Sequence, residues 1–243
     1  MEENIYTRTE LLLKEEGLAR LKSAHVLVVG LGGVGGYAAE QLCRAGVGEL
    51  TLVDGDSINI TNVNRQIIAL QSTVGCSKAE VIKKRFEDIN PDCKLNVLNE
   101  FIRDDRMVEL LDSTKYDYIV DAIDTLSPKV FLLYHSFQRG YPIVSSMGSA
   151  GKLDPSQVYV TDISKSHTCP LAAMVRKRLH RMGISKGIKV VFSTEKVAPH
   201  SMIEEISENK RTTIGTISYM PPIFGCFCAS VVINDLINDK EVL

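Results

Sequence analysis

HVLVVGLGGVGGYAAEQLCRAG, residues 25–46, decides how this chain folds. The run His25 to Val29 reads as a strand buried on both faces, and it feeds straight into Gly30-Leu-Gly32-Gly33-Val-Gly35-Gly36. A helix follows, with Ala38, Ala39, Leu42 and Ala45 as its small and apolar positions and Gly46 as its terminator. Glu49 to Val53 is a second strand, ending at Asp54. Strand, glycine turn, helix and strand within about 30 residues form the unit of a doubly wound parallel sheet.

Beyond this unit, strands are expected at Leu95–Leu98, Tyr118–Asp121, Ile143–Ser145 and Val158–Thr161, then near 189–194 and 214–219. Helices are expected from Ser77 as cap to about Asp88, with Val81, Ile82 and Phe86 on its buried side, and from about Pro128 to Arg139. Pro221-Pro222 opens a last apolar helix ending near Ile237. Residues 7–22 carry Leu11, Leu12, Leu18 and Leu21 among charges, with Gly17 between them, which suggests two short amphipathic helices. The expected organisation is an α/β, Rossmann-like, doubly wound three-layer sandwich. Residues 1–24 form an N-terminal helical arm, and residues 25–243 form one domain with a basic, mobile insert at about 163–187.

Glycines belong where backbone must approach phosphates, and the helix N-terminus behind them offers free N–H groups and partial positive charge. Gly30, Gly32, Gly33 and Gly35 are therefore candidates for a phosphate loop, and Asp54, 19 positions beyond Gly35, for a ribose-hydroxyl acceptor. Asp54 by itself would suit NAD. The polar stretch 55–75, with Asn62 and Arg65, and then Lys78 supply amide and cationic donors better suited to a triphosphate and its leaving pyrophosphate. Arg65 as a loop anchor and Lys78 as a solvated helix lysine are the plainer alternatives. Asp124, just past the strand at 118–121, stands where a carboxylate could hold Mg2+ or cap the next helix.

In order and spacing, GLGGVG (30–35), LVDGD (52–56), TNVNRQ (61–66), SKAE (77–80), INP (89–91) and DAID (121–124) resemble the adenylating domain of ubiquitin-activating-type enzymes and of the bacterial relatives that activate sulfur-carrier proteins. That resemblance implies ATP and Mg2+ as cofactors. It assigns Gly33 to the phosphate loop, Asp54 to the ribose, Asp56, Asn62 and Arg65 to the triphosphate region, Lys78 to the phosphates and Asp124 to the metal. Arg65, Lys78 and Asp124 become the catalytic set. It also implies a homodimer in which Arg8, of YTRTE, reaches the partner's ATP, although Arg8 read alone is equally a surface arginine.

Sulfur-carrier relatives usually carry two CxxC pairs for zinc. Here Cys169 has Ala172 where its partner would stand, and Cys226 and Cys228 have the wrong spacing, so both of the latter are expected in the core. A thioester role for Cys169 lacks a neighbouring activating motif. The wider pattern from about Arg8 to Ile237, including YIVDAIDTLSPK, VYVTDISKSHTCPLAAMVRKRL and VFSTE, is similar to the branch of this family that dehydrates threonylcarbamoyladenosine in tRNA to its cyclic form. The resemblance implies adenylation of the threonyl carboxylate, ring closure by the adjacent urea, and AMP and pyrophosphate as products. Adenylation of the C-terminal glycine of a ubiquitin-like or sulfur-carrier protein is the alternative, and a sulfur-transfer protein is a candidate partner.

The composition bears on that choice. With 243 residues, 44% apolar and 24% charged, the chain is neither a disulfide-stapled miniprotein nor a disordered tail. Lys+Arg 28 against Asp+Glu 30 gives a net charge of −2, which excludes a polybasic nucleic-acid binder of the whole-chain kind. The average hides a local excess. Between Asp162 and Glu195 there is no acidic residue, while Lys165, Arg176, Lys177, Arg178, Arg181, Lys186 and Lys189 all fall there. Thr168 can cap a helix in this segment, Pro170 suits its first turn, and Leu171, Met174, Val175 and Leu179 form its apolar stripe. Arg176, Lys177, Arg181 and Lys186 are then candidates for tRNA phosphates, a plain solvated face being the alternative. Six scattered cysteines and no signal sequence point to the cytoplasm. The apolar run from Pro221 to Ile233 is too short for an ordinary membrane span, which leaves a buried or dimer-facing helix, or peripheral membrane contact.

Overall fold

The computed structural model describes residues 3–198, 201–203 and 213–238. His200 lies outside them. A seven-stranded sheet runs in the order β3-β2-β1-β4-β5-β7-β6, with β1 (His25–Val29), β2 (Glu49–Val53), β3 (Lys94–Leu98), β4 (Tyr118–Asp121), β5 (Ile143–Ser146) and β7 (Lys189–Ser193) parallel. Edge strand β6 (Val158–Asp162) is antiparallel to β7.

Strand residues alternate between two cores, as the two-residue period of a strand requires. Val26, Val28, Leu50, Leu52 and Val120 meet α2 (Gly35–Ala45), α3 (Lys78–Ile89) and α7 (Met220–Ile237) on one face. Leu27, Val29, Val53, Ile119 and Val190 meet α4 (Asp104–Ser113), α5 (Leu126–Gln138) and α6 (Pro170–Arg181) on the other. The result is the three-layer doubly wound sandwich expected from the glycine unit.

Four local expectations need correction. The N-terminal helix α1 (Thr7–Ser23) does kink, but at Lys14, whose φ of 59° breaks the helical path; Gly17 is instead a close-approach glycine, with a Cβ there lying 3.0 Å from that of Leu13. The expected strand at 214–219 shrinks to β9 (Thr213–Ile214), paired with β8 (Met202–Ile203). Beyond it the Gly215 N–H donates to Ser201 and its carbonyl accepts from Gly151, so the backbone is committed to loop contacts rather than a ladder. Helix α6 begins at Cys169 as N-cap, because Thr168 sits at φ 63°, and its buried stripe is Ala172, Val175 and Leu179, with Met174 left 46% exposed. Cys228 is buried as expected, whereas Cys226 is exposed on the outer side of α7.

The segment 163–187 is built into the body of the fold: it holds a 3-10 turn at Ile163–Lys165 and α6, and it connects the antiparallel neighbours β6 and β7. Helix α7 packs against α2, where a Cβ on Gly225 would strike the Val34 carbonyl.

Candidate active site

The site lies at the C-terminal edge of β1, β2 and β4, because the ladder carries on past the strand ends. Gly30 N–H donates to Val53, Asp54 N–H to Leu98 and Ala122 N–H to Val29, so Gly30, Asp54 and Ala122 stand in one row. Crevices outside the carboxyl ends of parallel strands are where such sheets bind ligands. Gly30 has φ 90°, and a Cβ there would lie 2.8 Å from the Ala122 carbonyl; one on Gly35 would run into the Gly30 carbonyl itself. The turn therefore admits glycine alone at both places.

On one side of this row stands an acidic and basic triad. The Asp54 carboxylate, nearly buried, accepts from Leu31 N–H at 2.6 Å and Asp56 N–H at 2.8 Å. Burial pushes its carboxyl above the ordinary carboxylate value, against the opposing pull of the Lys78 ammonium and those two N–H donors. Lys78 opens α3, capped by Ser77, and its Nζ lies 2.7 Å from Asp56 and 3.9 Å from Asp54. A nearly buried ammonium thus faces the crevice with a half-exposed counter-ion.

On the other side, Arg65 lies over Gly33, where a Cβ would come within 3.4 Å of Arg65 Cγ and 2.9 Å of Pro221 Cβ. Its Nη1 donates to the Thr61 carbonyl at 2.8 Å and to Asn64 Oδ1 at 2.9 Å. Burial lowers its pKa from the ordinary arginine value, and the nearby Asp124 carboxylate opposes that. Asn62 shapes the loop as well as lining it, since its Oδ1 accepts from Asn59 N–H while the Asn59 side chain caps the same 3-10 turn. Gly33, Arg65 and Asp124 therefore face the Asp54, Asp56 and Lys78 group across the glycine turn.

Arg8 is not brought to this site by its own chain. Two residues away, Tyr6 packs on Gly46 at the far end of α2 and donates to Asn90, about 16 Å along that helix from the glycine loop. The basic helix α6 is attached at the site's margin: Arg178 donates to Ser127 in the first turn of α5, three residues after Asp124. Lys177, Arg181 and Lys186 are exposed, and Arg176 is half-buried.

Reading the sequence alone missed Lys129 and named Gln66 only as part of the polar stretch, without a role of its own. Fully buried Lys129 donates to Asp121 at 2.6 Å and to Ser145 at 3.2 Å, while Asp121 also accepts from Ser145 and from Ile123 N–H. This pins the 121–124 turn. The only available signal was a lysine among apolar neighbours on α5. Gln66 is also buried beside Gly32, and its Oε1 has no hydrogen-bond partner. An orphaned buried acceptor is costly unless a ligand supplies the donor. Together with the glycine cradle, it fits a nucleotide in this crevice.

Among the described residues there is no cluster of three or more His, Cys, Asp or Glu able to hold a metal. A zinc centre of the sulfur-carrier kind is thus not built from them. A model of the ThiF family matches residues 6–243. The chain is 41% identical to a tRNA threonylcarbamoyladenosine dehydratase of Bacillus subtilis, over 98% of this chain and 96% of that protein. The fold is similar to the crystal structure of E. coli tRNA N6-threonylcarbamoyladenosine dehydratase, TcdA, in complex with ATP, at TM-score 0.87 and 36% identity, covering 96% of this chain and 93% of that one. It is similar also to the AMP complex, at TM-score 0.85 and 36% identity, covering 95% and 92%.

Proposed function

The chain belongs to the ThiF family, and from that premise we propose how its residues carry out an ATP-dependent dehydration of threonylcarbamoyladenosine in tRNA. A threonyl carboxylate oxygen attacks the α-phosphorus of ATP and pyrophosphate leaves. An atom of the adjacent urea then attacks the activated carbonyl carbon, closing the ring and expelling AMP. The oxygen formally lost as water departs on AMP. Because the second nucleophile belongs to the substrate, proximity supplies much of the acceleration, and no protein cysteine is demanded.

The protein's task is electrostatic. The glycine loop from Gly30 through Gly32 and Gly33 to Gly35 and the start of α2 cradle phosphates, and Asp54 accepts from the ribose. Lys78, released from Asp56, and Arg65, supported by Asn62 and Asn64, meet the negative charge that grows as pyrophosphate leaves. Asp124 would be the carboxylate to hold Mg2+, which would supply positive charge against the phosphates. Arg8 of a second copy completes the site in a homodimer, since Arg8 is held far from the glycine loop of its own chain. Arg176, Lys177, Arg181 and Lys186 neutralise tRNA phosphates and set the register of the anticodon arm without reading bases.

The observation that carries this reading is the pairing of one crevice with one surface: the Arg65, Lys78 and Asp124 set at the strand ends, and beside it a helix from an acid-free stretch, tied to the same α5 by Arg178. Pyrophosphate release with ATP is to be measured with threonylcarbamoylated tRNA and, separately, with a carrier protein ending in Gly-Gly. Turnover is expected with the tRNA. Turnover with the carrier only would transfer the chain to the other branch.

A further inference from the structure

At the C-terminal edge of the sheet, the segment 213–219 runs from the Arg65 side of the crevice to the loop that follows β5. On the Arg65 side, Asn64 Nδ2 donates to the Thr216 carbonyl at 2.9 Å. On the far side, Gly151 N–H donates to the Gly215 carbonyl at 2.8 Å, and the Tyr219 hydroxyl donates to the Leu153 carbonyl at 2.8 Å. Leu153 is itself anchored, because the Glu195 carboxylate, just beyond the end of β7, accepts from the N–H groups of Leu153 and Asp154 at 2.9 Å. Tyr219 is also the N-cap of α7, where its carbonyl accepts from Ile223 N–H. Both ends of this tyrosine are therefore fixed, yet the residue is 41% exposed, and Ile217 at 39% and Leu153 at 63% are exposed with it. An aromatic ring held rigidly in water at the edge of a crevice is unused by the adenylation machinery described above.

Tyr219 belongs to the Arg65 side of the glycine turn. Pro221, two residues further on, lies 2.9 Å from a Cβ placed on Gly33, the glycine that Arg65 also covers. Two residues span at most about 7 Å, so Tyr219 stands within reach of the phosphate end of the crevice. The ribose of ATP, assigned to Asp54 across the turn, carries its own base away from this ring. In the modified adenosine, the carboxylate to be activated is separated from the adenine by the urea and the threonine Cα. A base lying against Tyr219 can therefore extend its carboxylate toward Gly33 and Arg65. Unpaired RNA bases are held by stacking on aromatic side chains, whose flat faces they match. We propose that the Tyr219 ring is the platform on which the adenine of the threonylcarbamoylated nucleotide stacks, with Ile217 and Leu153 as its apolar border. The proposal rests on the tRNA reading above and deepens it by naming where the substrate base sits. Phosphate contacts along α6 hold the arm, whereas the ring selects the nucleotide that enters.

The chain contains no tryptophan, so Tyr219→Trp in the full-length enzyme places a single indole at the platform. Threonylcarbamoylated tRNA should quench its fluorescence saturably, and ATP alone should leave it unchanged. In steady-state turnover, Tyr219→Leu keeps apolar bulk but removes the aromatic face. It should raise the KM for the modified tRNA about tenfold, the scale of one lost stack, with kcat changed far less and the affinity for ATP unmoved. Tyr219→Phe keeps the ring and gives up the bond to Leu153, and it should restore most of the lost tRNA affinity. A tyrosine that serves only to fasten Leu153 predicts the reverse, with Tyr219→Phe as damaging as Tyr219→Leu, and that result would overturn the proposal. Quenching by ATP alone would overturn it in favour of a site for the cofactor's base. Wild-type turnover of the modified tRNA, together with an unmoved KM in Tyr219→Leu and no quenching in Tyr219→Trp, would strike the platform and leave the functional reading standing. Pyrophosphate release by the wild-type enzyme with a Gly-Gly-ending carrier and not with the modified tRNA would strike the functional reading and take the platform with it.

Discussion

Lys78 and Lys129 are both buried lysines paired with an aspartate, Lys78 with Asp56 at 2.7 Å and Lys129 with Asp121 at 2.6 Å, and both stand near the C-terminal edge of the sheet. Their counter-ions differ. The Asp56 side chain is 51% exposed, so water can take over its charge and let the Lys78 ammonium turn to a phosphate. Asp121 and Lys129 are both 0% exposed, with Ser145 and Ile123 N–H filling the remaining positions on the carboxylate, and nothing else can enter. Burial of a lysine is therefore no mark of a functional group by itself; solvent access at its partner separates the pair proposed to meet phosphate from the pair that holds the turn.

The comparison is easiest to break from the sealed side. Lys129→Met should cost about 3–5 kcal/mol in denaturant unfolding, because it leaves the Asp121 charge buried without its counter-ion. Replacing both partners with apolar residues should recover much of that loss. A Lys129→Met protein of wild-type stability would show that the pair is not sealed. For Lys78→Met the expected order is reversed: a small change in stability, but a fall of about 10²–10³ in the rate of adenylation, the scale of removing one preorganised donor to a developing charge. Pre-steady-state pyrophosphate release and a melting curve, run on the same preparation, check both halves.

How much of this contrast could be read in the sequence follows from the kind of signal involved. The glycine unit at 25–46 carries its meaning locally, through strand period, turn residues and helix spacing, so the doubly wound fold and the Asp54 edge of the crevice could be read from it and the strand that follows, while Lys78 was read from the polar stretch 55–75 that precedes it. Lys129 carries no local signal beyond its apolar neighbours on α5, since its partner stands eight positions upstream on a strand and the pair exists only once β4, β5 and α5 have packed. Helix α4 was missed although Met107, Leu110 and Leu111 are at helical spacing, because that turn lacks a capping side chain. The N-cap of α6 shifted by one residue because Thr168 takes a left-handed conformation that an ordinary reading of a capping threonine does not anticipate.

Smaller effects sharpen the open side. Burial holds the Asp54 carboxyl above its usual range, and the proposed role as ribose acceptor needs its ionised form. The affinity for ATP should therefore begin to fall, as pH is lowered, above the ordinary carboxylate range, and Asp54→Asn should abolish that dependence in an ATP titration. For stability the sign is opposite. An acid whose pKa is raised in the folded state stabilises the fold below its unfolded value and loses that contribution as pH rises through the folded one. Smallest of all, Arg181→Ala and Lys186→Ala should each flatten the salt dependence of tRNA binding by about one unit while leaving ATP binding unchanged, as fluorescence titrations at several salt concentrations would show.

Activation by adenylation leaves an isotopic trace that no other route shares. With heavy oxygen in the threonyl carboxylate of the modified tRNA, one turnover at the Lys78 and Arg65 face should place a single heavy oxygen in AMP and none in pyrophosphate, read by mass spectrometry of the released nucleotide. Heavy oxygen in inorganic phosphate, with ADP as the other product, would mean that the carboxylate had been phosphorylated instead, and would contradict the assignment of this crevice to adenylyl transfer.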